Sequence, residues 1–204
     1  MRTPGAGAAW LLLALLAACG RSAPPPAAEE ARQCLASLDR AGVRYALEAA
    51  PAGLGSCAVA TAVRVSAASL DWNQPGIVSC RFALELDAFA RETIEPAASA
   101  HFGERVVVLR HFGTYSCRRE SGGGHRWSQH ASGNAIDIAG FALADGTVIS
   151  VERDWRPAGP KRDFLRDVAH RACARFSVVL TPDSDAEHYN HIHLDAGPYR
   201  LCGR

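Results

Sequence analysis

Residues 127–140 read WSQHASGNAIDIAG, and this stretch joins a Ser/Gly turn to a strand-like run. If the AIDI tetrapeptide forms a strand, Ala135 and Asp137 point to one face and the two isoleucines point to the other. The carboxylate of Asp137 then lies opposite the branched aliphatic face. Gly133 permits a tight turn that swings His130 back over the start of the strand, where its imidazole can meet that carboxylate.

A histidine and an aspartate that converge on one point suit a divalent metal ion, zinc above all. The bare HxxxxxxD pair carries little information, but residues 187–195 read EHYNHIHLD and hold three of the eight histidines. In a β-like segment His191 and His193 face the same way while Ile192 turns inward, so both imidazoles can reach one ion. Taken alone, an HxH pair is more often a solvated or structural pair.

The composition limits the class of protein. The chain has 204 residues, of which 48% are hydrophobic, and its formal net charge is +1. This is enough core-forming material for one ordinary domain, and there is no electrostatic excess that would favour nucleic acid. We therefore expect a globular protein that does not bind nucleic acid.

The first twenty residues, MRTPGAGAAWLLLALLAACG, are typical of an export signal. The apolar run over residues 8–18 is too short to span a bilayer as a stable anchor. It ends in Leu-Ala-Ala-Cys, which resembles the lipobox of bacterial lipoproteins, in which the cysteine is acylated and becomes the mature N-terminus. Residues 1–18 are therefore predicted to be a lipoprotein-type signal peptide and Cys19 a lipidation site. The alternative is an ordinary signal peptide, and export is expected in either case.

The cysteine count agrees with export. Seven cysteines are an odd number, and removing Cys19 leaves an even set that suits an oxidising compartment. None of the six stands in a CxxC pair, so neither a zinc knuckle nor a thioredoxin-like redox centre is expected. Buried free thiols are the weaker alternative. The predicted disulfide cysteines are Cys34, Cys57, Cys80, Cys117, Cys173 and Cys202.

The rest of the chain alternates between helical and strand-like patterns. The small, Pro-rich residues 19–33 are predicted to be an extended tether and not a packed element. Helical spacing covers residues 31–40, 80–95 and 161–173. Strand-like runs cover residues 59–65, 106–109, 135–138, 148–151 and 177–180. We expect residues 34–204 to form one α+β domain, with a small, mainly antiparallel sheet flanked by helices and stapled by disulfides.

Together the two motifs resemble those of a known group. The LAS metallopeptidases, which include lysostaphin-type enzymes, D-Ala-D-Ala peptidases and murein endopeptidases, share an SxHxxGxAxD signature and a later HxH. All five fixed positions of the signature are matched, at Ser128, His130, Gly133, Ala135 and Asp137. From about Cys34 onward the chain also resembles the bacterial extensin-like C-terminal family, through its spaced cysteines, a YxCR element at residues 115–118, the segment GFALADG, and an ISV followed by Asp-Trp.

The resemblance implies a LAS metallopeptidase-like fold and a role for each matched residue. His130, Asp137 and His193 correspond to the zinc ligands of the group, and three protein ligands leave a fourth place for water, as in a catalytic zinc site. His191 is expected beside the metal as general base or as a hydrogen-bonding partner of the tetrahedral intermediate. The ExxH spacing of the D-Ala-D-Ala peptidases is not kept. Glu187 is therefore the second candidate for the base. The alternative, that Glu187 is a solvated surface carboxylate without a catalytic role, is equally acceptable.

Two residues are implied as substrate contacts. Arg118 matches an arginine that the group places upstream of the first zinc motif, and a guanidinium can hold a carboxylate or a developing oxyanion with two hydrogen bonds. The adjacent Arg119 could be the true partner, and a plain surface arginine is a further alternative. Ser128 is expected to bind substrate or to brace the turn. The family resemblance and loop closure between neighbours suggest disulfides in chain order: Cys34–Cys57, Cys80–Cys117 and Cys173–Cys202.

An exported zinc hydrolase of this group would meet peptidoglycan. The expected activity is hydrolysis of amide bonds in the peptide stems, by an endopeptidase first and a D,D-carboxypeptidase second, because HxH resembles the endopeptidase branches. The expected location is the periplasm, lipid-anchored to the outer membrane, and the need for an activator protein is open. The competing hypothesis is a non-catalytic envelope protein that binds murein or zinc on the same fold. A metal-free acid/base enzyme is less favoured because it leaves His193 unexplained.

Overall fold

The structure is a computed structural model that describes residue 1 and residues 26–49, 57–121 and 125–203. Within these ranges the chain is an α+β domain with one mixed, mostly antiparallel sheet. The strands are β1 (Arg44–Leu47), β2 (Ala62–Ala67), β3 (Asp71–Ser79), β4 (Val106–Gly113), β5 (Ala135–Leu143), β6 (Val148–Ser150), β7 (Val178–Leu180), β8 (Ile192–Asp195) and β9 (Leu201–Cys202). The α-helices are α1 (Pro26–Ala41), α2 (Cys80–Phe89), α3 (Glu95–Phe102), α4 (Val151–Asp154) and α5 (Pro160–Ala172).

The order of the strands brings distant parts of the sequence together. The strands run β1-β2-β3-β4-β5-β8-β7-β9, and β6 pairs with β5 away from this path. The pairs β3–β4 and β7–β9 are parallel, and the other pairs are antiparallel. In the β5–β8 pair, Asp137 lies directly opposite His193. Because side chains directly opposite each other in an antiparallel pair are close, this register joins the two motifs.

The core lies between the sheet and the helices. Ser79 caps α2 by accepting a hydrogen bond from the backbone N–H of Phe82 at 3.2 Å, which fixes where the helix begins. On α2, Phe82 and Phe89 are fully buried, and Phe89 packs edge-on against Phe176 with ring centres 5.1 Å apart. Each such buried ring stabilises the fold by about 1.5–3 kcal/mol. A π-helical turn, Ala90–Ile94, connects α2 to α3.

Strand β3 was not predicted, and it contains Pro75 and Gly76, residue types that are unfavourable inside a strand. The strand is compatible with proline because it pairs with β4 only at Asp71 and Trp72, before the proline is reached. Beyond that point, side-chain hydrogen bonds take the place of backbone pairing between β3 and β4. The amide oxygen of Asn73 accepts from the backbone N–H of His111 at 2.8 Å, and the Gln74 side chain donates to the carbonyl of the same histidine at 3.0 Å.

The predicted extended tether at residues 19–33 is wrong for its second half, because α1 begins at Pro26. Proline is favoured in the first turn of a helix, and the alanines and glutamates that follow it have high helix propensity. Glu29 adds an acidic group to the first turn and accepts a hydrogen bond from Gln33 at 2.8 Å. The predicted lipidation site, Cys19, and all but the first residue of the predicted signal peptide lie outside the described residues. Among the helices of the described ranges, none has the length and apolar character needed to cross a bilayer.

Three disulfides link the six predicted cysteines: Cys34–Cys80, Cys57–Cys117 and Cys173–Cys202. The predicted third pair is confirmed, but the pairs Cys34–Cys57 and Cys80–Cys117 are wrong. Nearness in the chain did not predict nearness in space, because α1 packs along α2 and brings the α-carbons of Cys34 and Cys80 to 6.2 Å from each other. The Cys57–Cys117 link then joins the segment before β2 to the residue that precedes Arg118.

Gly140 provides a test of how β5 and β6 pack. Its φ is +153°, and a Cβ atom there would lie 2.0 Å from the carbonyl oxygen of Ile149. We expect Gly140→Ala to lower the free energy of unfolding by about 3 kcal/mol or more, since backbone atoms must move to relieve the clash. Gly146→Ala is the matched control, because Gly146 also has a positive φ, +88°, but faces open space. Urea unfolding should show that the control lowers the free energy of unfolding by only about 1–2 kcal/mol. Equal losses in the two variants would contradict the close approach of Gly140 to the backbone of Ile149.

Candidate metal centre

A short turn holds His130 in place. Residues Gln129–Ser132 form one turn of 3-10 helix, and the Ser128 hydroxyl caps it by accepting a hydrogen bond from the backbone N–H of His130 at 3.3 Å. Gly133 ends the turn with a φ of +67°, which favours glycine. Its carbonyl accepts a hydrogen bond from the backbone N–H of Ser79 at 2.8 Å, which docks the turn against the start of α2. Ser128 therefore braces the turn, one of the two roles expected of it.

Three side chains meet where the turn faces strands β5 and β8. The Nε2 atom of His130 lies 3.2 Å from the Oδ1 atom of Asp137 and 3.2 Å from the Nδ1 atom of His193. The last two atoms lie 2.9 Å apart. His130 and His193 are buried, with 3% and 8% of their surfaces exposed. The three residues could hold a metal ion, since one ligand atom from each lies within 4.8 Å of the other two.

Outer hydrogen bonds decide which ring nitrogens face this point. The Nδ1–H of His130 donates to the carbonyl oxygen of Thr114 at 2.5 Å, and the Nε2–H of His193 donates to the carboxylate of Asp195 at 3.3 Å. The other ring nitrogen of each imidazole therefore faces Asp137, and it offers a lone pair to a metal ion once it has lost its proton. A histidine that binds a metal through one nitrogen and donates from the other to a carbonyl or carboxylate is the usual arrangement.

The spacing of the three atoms fits a small tetrahedral ion. Three lone-pair atoms at about 3 Å repel one another unless a proton or a cation lies among them. Metal–ligand bonds of about 2.0–2.1 Å, arranged tetrahedrally, place neighbouring ligand atoms about 3.3 Å apart. The observed separations of 2.9–3.2 Å are close to this value. Two imidazoles and one carboxylate are also donors that zinc accepts.

The electrostatics of the centre favour a cation. Burial raises the pKa of Asp137, but hydrogen bonds with His130 and His193 outweigh burial and hold that pKa well below its usual range. Burial lowers the pKa of His193, whereas its hydrogen bonds with Asp137 and Asp195 outweigh burial and raise it to about 9. Two carboxylates on either side of one imidazole thus create a locally negative potential. A divalent cation would benefit from the same potential.

His191 lies beside the three residues and outside their group. Its Nε2 atom is 3.4 Å from the Oδ1 atom of Asp137, and its Nδ1 atom lies 2.8 Å from the side-chain oxygen of Asn190. Burial lowers the pKa of His191 to about 4, against the attraction of Asp137 and with help from the neighbouring histidines. The ring is therefore neutral at pH 7. If its Nδ1–H donates to Asn190, a basic nitrogen faces the centre.

The other predicted site residues line the same cavity of about 530 Å³. Arg118 is exposed there, and within the described residues its guanidinium forms no ion pair with a carboxylate. Arg119, the alternative, instead stacks over the ring of Trp127 at 4.6 Å. Glu187 is exposed in a 3-10 turn, Ala186–His188, and in the part of the chain that the structure covers it makes no hydrogen bond or ion pair with the three residues.

Sequence reasoning missed several residues around the centre. Asp195 follows His193 at the strand period of two, a signal that could have indicated a partner on the same face. Its orientation is fixed because its other carboxylate oxygen accepts from the backbone N–H of Gly197 at 2.8 Å. Thr114 contributes only a backbone carbonyl, for which the sequence has no signal. His188 also lines the cavity, with its Nδ1–H donating to Asp185 at 2.7 Å.

The Asp195 carboxylate gives a test of the outer hydrogen bonds. Replacing Asp195 by alanine is expected to weaken zinc binding by about 10- to 100-fold, because His193 loses the group that fixes its tautomer and raises its basicity. Chelator competition measures the dissociation constant. Asp145→Ala removes an exposed aspartate from a turn and serves as the control. If the two variants bound zinc equally well, Asp195 would have no role at the centre.

Comparison with known proteins identifies one similarity. A family model described as "Extensin-like protein C-terminus" matches residues 32–203. No curated protein and no solved structure matches the chain. The matched region contains every residue of the centre and all three disulfides.

Proposed function

The chain belongs to the extensin-like protein C-terminus family, and from this premise we propose that it is a zinc-dependent hydrolase of the LAS type that cleaves amide bonds in the peptide stems of peptidoglycan. The observation that carries the proposal is the convergence of His130, Asp137 and His193. Their lone-pair atoms lie 2.9–3.2 Å from one another at the floor of an open cavity. Outer hydrogen bonds hold both imidazoles in the tautomer that suits a metal.

Different residues of the protein would bind the metal, transfer the proton and bind the substrate. A zinc ion held by the three residues would supply Lewis acidity at a position open to the cavity. His191, neutral and 3.4 Å from the Asp137 carboxylate, is placed to accept a proton from the attacking water and later to donate it to the leaving amine. Glu187 is the second candidate for this role. Arg118, exposed at the cavity, would hold a carboxylate of the substrate.

The proposed substrate follows from the compartment and from the group the protein resembles. Three disulfides are compatible with an oxidising compartment outside the cytoplasm. We infer that the domain is exported and held at a membrane by a lipid on Cys19, with the periplasm and the outer membrane as the proposed location. An enzyme of this group in that compartment would meet the peptide stems of murein, which are therefore the proposed substrate. Cleavage of cross-links is favoured over release of terminal D-alanine, because HxH resembles the endopeptidase branches.

Digestion of purified sacculi tests the proposed function. Zinc-loaded wild-type protein is incubated with sacculi, and mass analysis of the soluble fragments and of the remaining muropeptides identifies the bond. An endopeptidase would convert cross-linked muropeptides to monomers, and a carboxypeptidase would shorten stems by one D-alanine. Parallel digests with envelope extract supply any activator. If neither digest changes the muropeptides, the proposal fails and a non-catalytic protein that binds murein or zinc takes its place.

A further inference from the structure

One wall of the cavity is a hairpin-like arm, formed by residues 118–121 and 125–128. The two halves are joined by backbone hydrogen bonds: the N–H of Ser128 donates to the carbonyl of Arg118 at 3.1 Å, and the N–H of Glu120 donates to the carbonyl of Arg126 at 3.0 Å. An isolated bridge between Arg119 and Trp127 lies between them. The side chains of Arg118, Glu120 and Arg126 line the same cavity as the metal centre.

Arg126 is held in a defined orientation by two contacts. Its guanidinium carbon lies 4.8 Å from the ring centre of Tyr199, which belongs to the segment between β8 and β9. Its Nε–H donates to the carboxylate of Glu120 at 2.8 Å. The aromatic ring fixes the plane of the guanidinium, and Glu120 engages one edge of that plane. Within the residues described by the structure, Glu120 is the carboxylate that pairs with Arg126, and no second protein carboxylate occupies the rest of the guanidinium.

These contacts are too exposed to be explained by stability. The Arg126 side chain is 61% exposed, and Tyr199 is 55% exposed. Exposed ion pairs contribute only about 0–1 kcal/mol to folding. An arginine that lines a cavity and has a fixed plane is instead pre-organised to bind a carboxylate through two parallel hydrogen bonds. Arg118 lacks this support among the described residues, where its side chain makes a single hydrogen bond, 3.4 Å long, to the carbonyl of Arg119.

We propose that Arg126, positioned by Tyr199 and Glu120, is a specificity-determining residue that binds a free carboxylate of the substrate peptide. The protein would then prefer peptide stems with free carboxyl groups over stems in which the same groups are amidated. This inference rests on the proposed function for the identity of the substrate, although the preference itself is a property of binding. Arg118 is proposed to hold a second carboxylate, which stays free in both peptides of the test below, so that Arg126 is the residue that discriminates.

The test uses one muropeptide and its amidated form with the zinc-loaded full chain. Equilibrium binding is measured by calorimetry, and KM and kcat are measured where cleavage occurs. The wild-type protein is expected to bind the free acid about tenfold more tightly, the scale of one charge-assisted bidentate contact. Arg126→Gln should lower this ratio to about 1, and Arg126→Lys should keep only part of the wild-type preference.

Companion variants separate recognition from folding. Tyr199→Leu should reduce the preference to about threefold, because the stack that orients the guanidinium is lost, whereas Tyr199→Phe keeps the ring and the preference. Arg171→Gln is the matched control, since Arg171 is also exposed and pairs with Asp167 at 2.7 Å on α5. The control should keep the full preference, and each variant should retain the wild-type zinc content and circular dichroism.

The outcomes distinguish this inference from the proposed function. The inference is overturned if the wild type binds the two peptides with equal affinity. It is also overturned if Arg126→Gln keeps the full preference for the free acid, or if Arg118→Gln loses that preference while Arg126→Gln does not. If the wild type binds the acid preferentially and cleaves neither peptide, and Arg126→Gln loses that preference, Arg126 has the inferred role and the hydrolase proposal fails. If both peptides are bound and cleaved equally, the hydrolase proposal survives and Arg126 does not discriminate.

Discussion

Replacing His193 by alanine is expected to lower the affinity for zinc by about a thousandfold or more, and to abolish hydrolysis with it. A small zinc site yields about 10–16 kcal/mol in total, so the loss of one of three protein ligands removes several kcal/mol. The change also leaves the buried Asp137 with one imidazole partner fewer. His130→Ala is expected to have the same effect, because its Nε2 atom occupies an equivalent position 3.2 Å from the carboxylate.

His188→Ala is the matched control for these two variants. His188 lines the same cavity, and its ring centre lies 5.9 Å from that of His193, but it is not part of the group of three. It should keep zinc affinity within about threefold of the wild type, the scale of an indirect effect. Metal content after dialysis and chelator competition give the affinities. Equimolar zinc retained by His130→Ala and His193→Ala would show that the ligand assignment is wrong.

Replacing His191 by alanine is expected to have the opposite pattern, with zinc kept and hydrolysis reduced by about 100-fold or more. Removing one general base, or one pre-organised hydrogen-bonding group, has an effect of this size. The zinc is kept because the ring of His191 lies outside the three-residue group, with its Nε2 atom 3.4 Å from the Asp137 carboxylate. The measurements are zinc content and the rate of muropeptide cleavage at saturating substrate.

Glu187→Gln separates the two candidates for the base. Glu187 is exposed in the 3-10 turn, and its backbone N–H donates to Asp185 at 2.8 Å. We expect the Glu187→Gln variant to cleave muropeptides at a rate within about threefold of the wild type, since His191 is the proposed base and the Glu187 carboxylate is exposed to solvent. A large loss in Glu187→Gln together with a small loss in His191→Ala would reverse the assignment.

The local part of the candidate site could be predicted from the sequence. Strand parity separates Asp137 from the isoleucines, and the structure has Ile136 and Ile138 fully buried. Gly133 has the positive φ that the tight turn requires. Both features follow from neighbouring residues alone. That these residues bind zinc stays a prediction, but the structure does bring His130, Asp137 and His193 together.

Features that depend on tertiary packing could not be predicted in the same way. The disulfide Cys34–Cys80 exists because α1 lies along α2, which no spacing in the sequence indicates. The carbonyl of Thr114 and the Arg126–Tyr199 stack are contacts between segments distant in sequence. Strand β3 was not predicted, and its Pro75 lies beyond the short pairing with β4. The wrong disulfide pairs came from relying on nearness in the sequence where the packing of distant segments decided the outcome.

Two of the disulfides lie next to residues that line the walls of the cavity. Cys117 immediately precedes Arg118 at the base of the arm, and Cys202 holds β9, next to Tyr199, against α5. The three residues of the metal centre come from a turn and two paired strands that contain no cysteine. We therefore expect a newly synthesised, reduced chain to form the metal centre before the walls that would bind a peptide are fixed. If the domain is exported as proposed, the two walls of the cavity would be closed covalently only after the chain had left the cytoplasm.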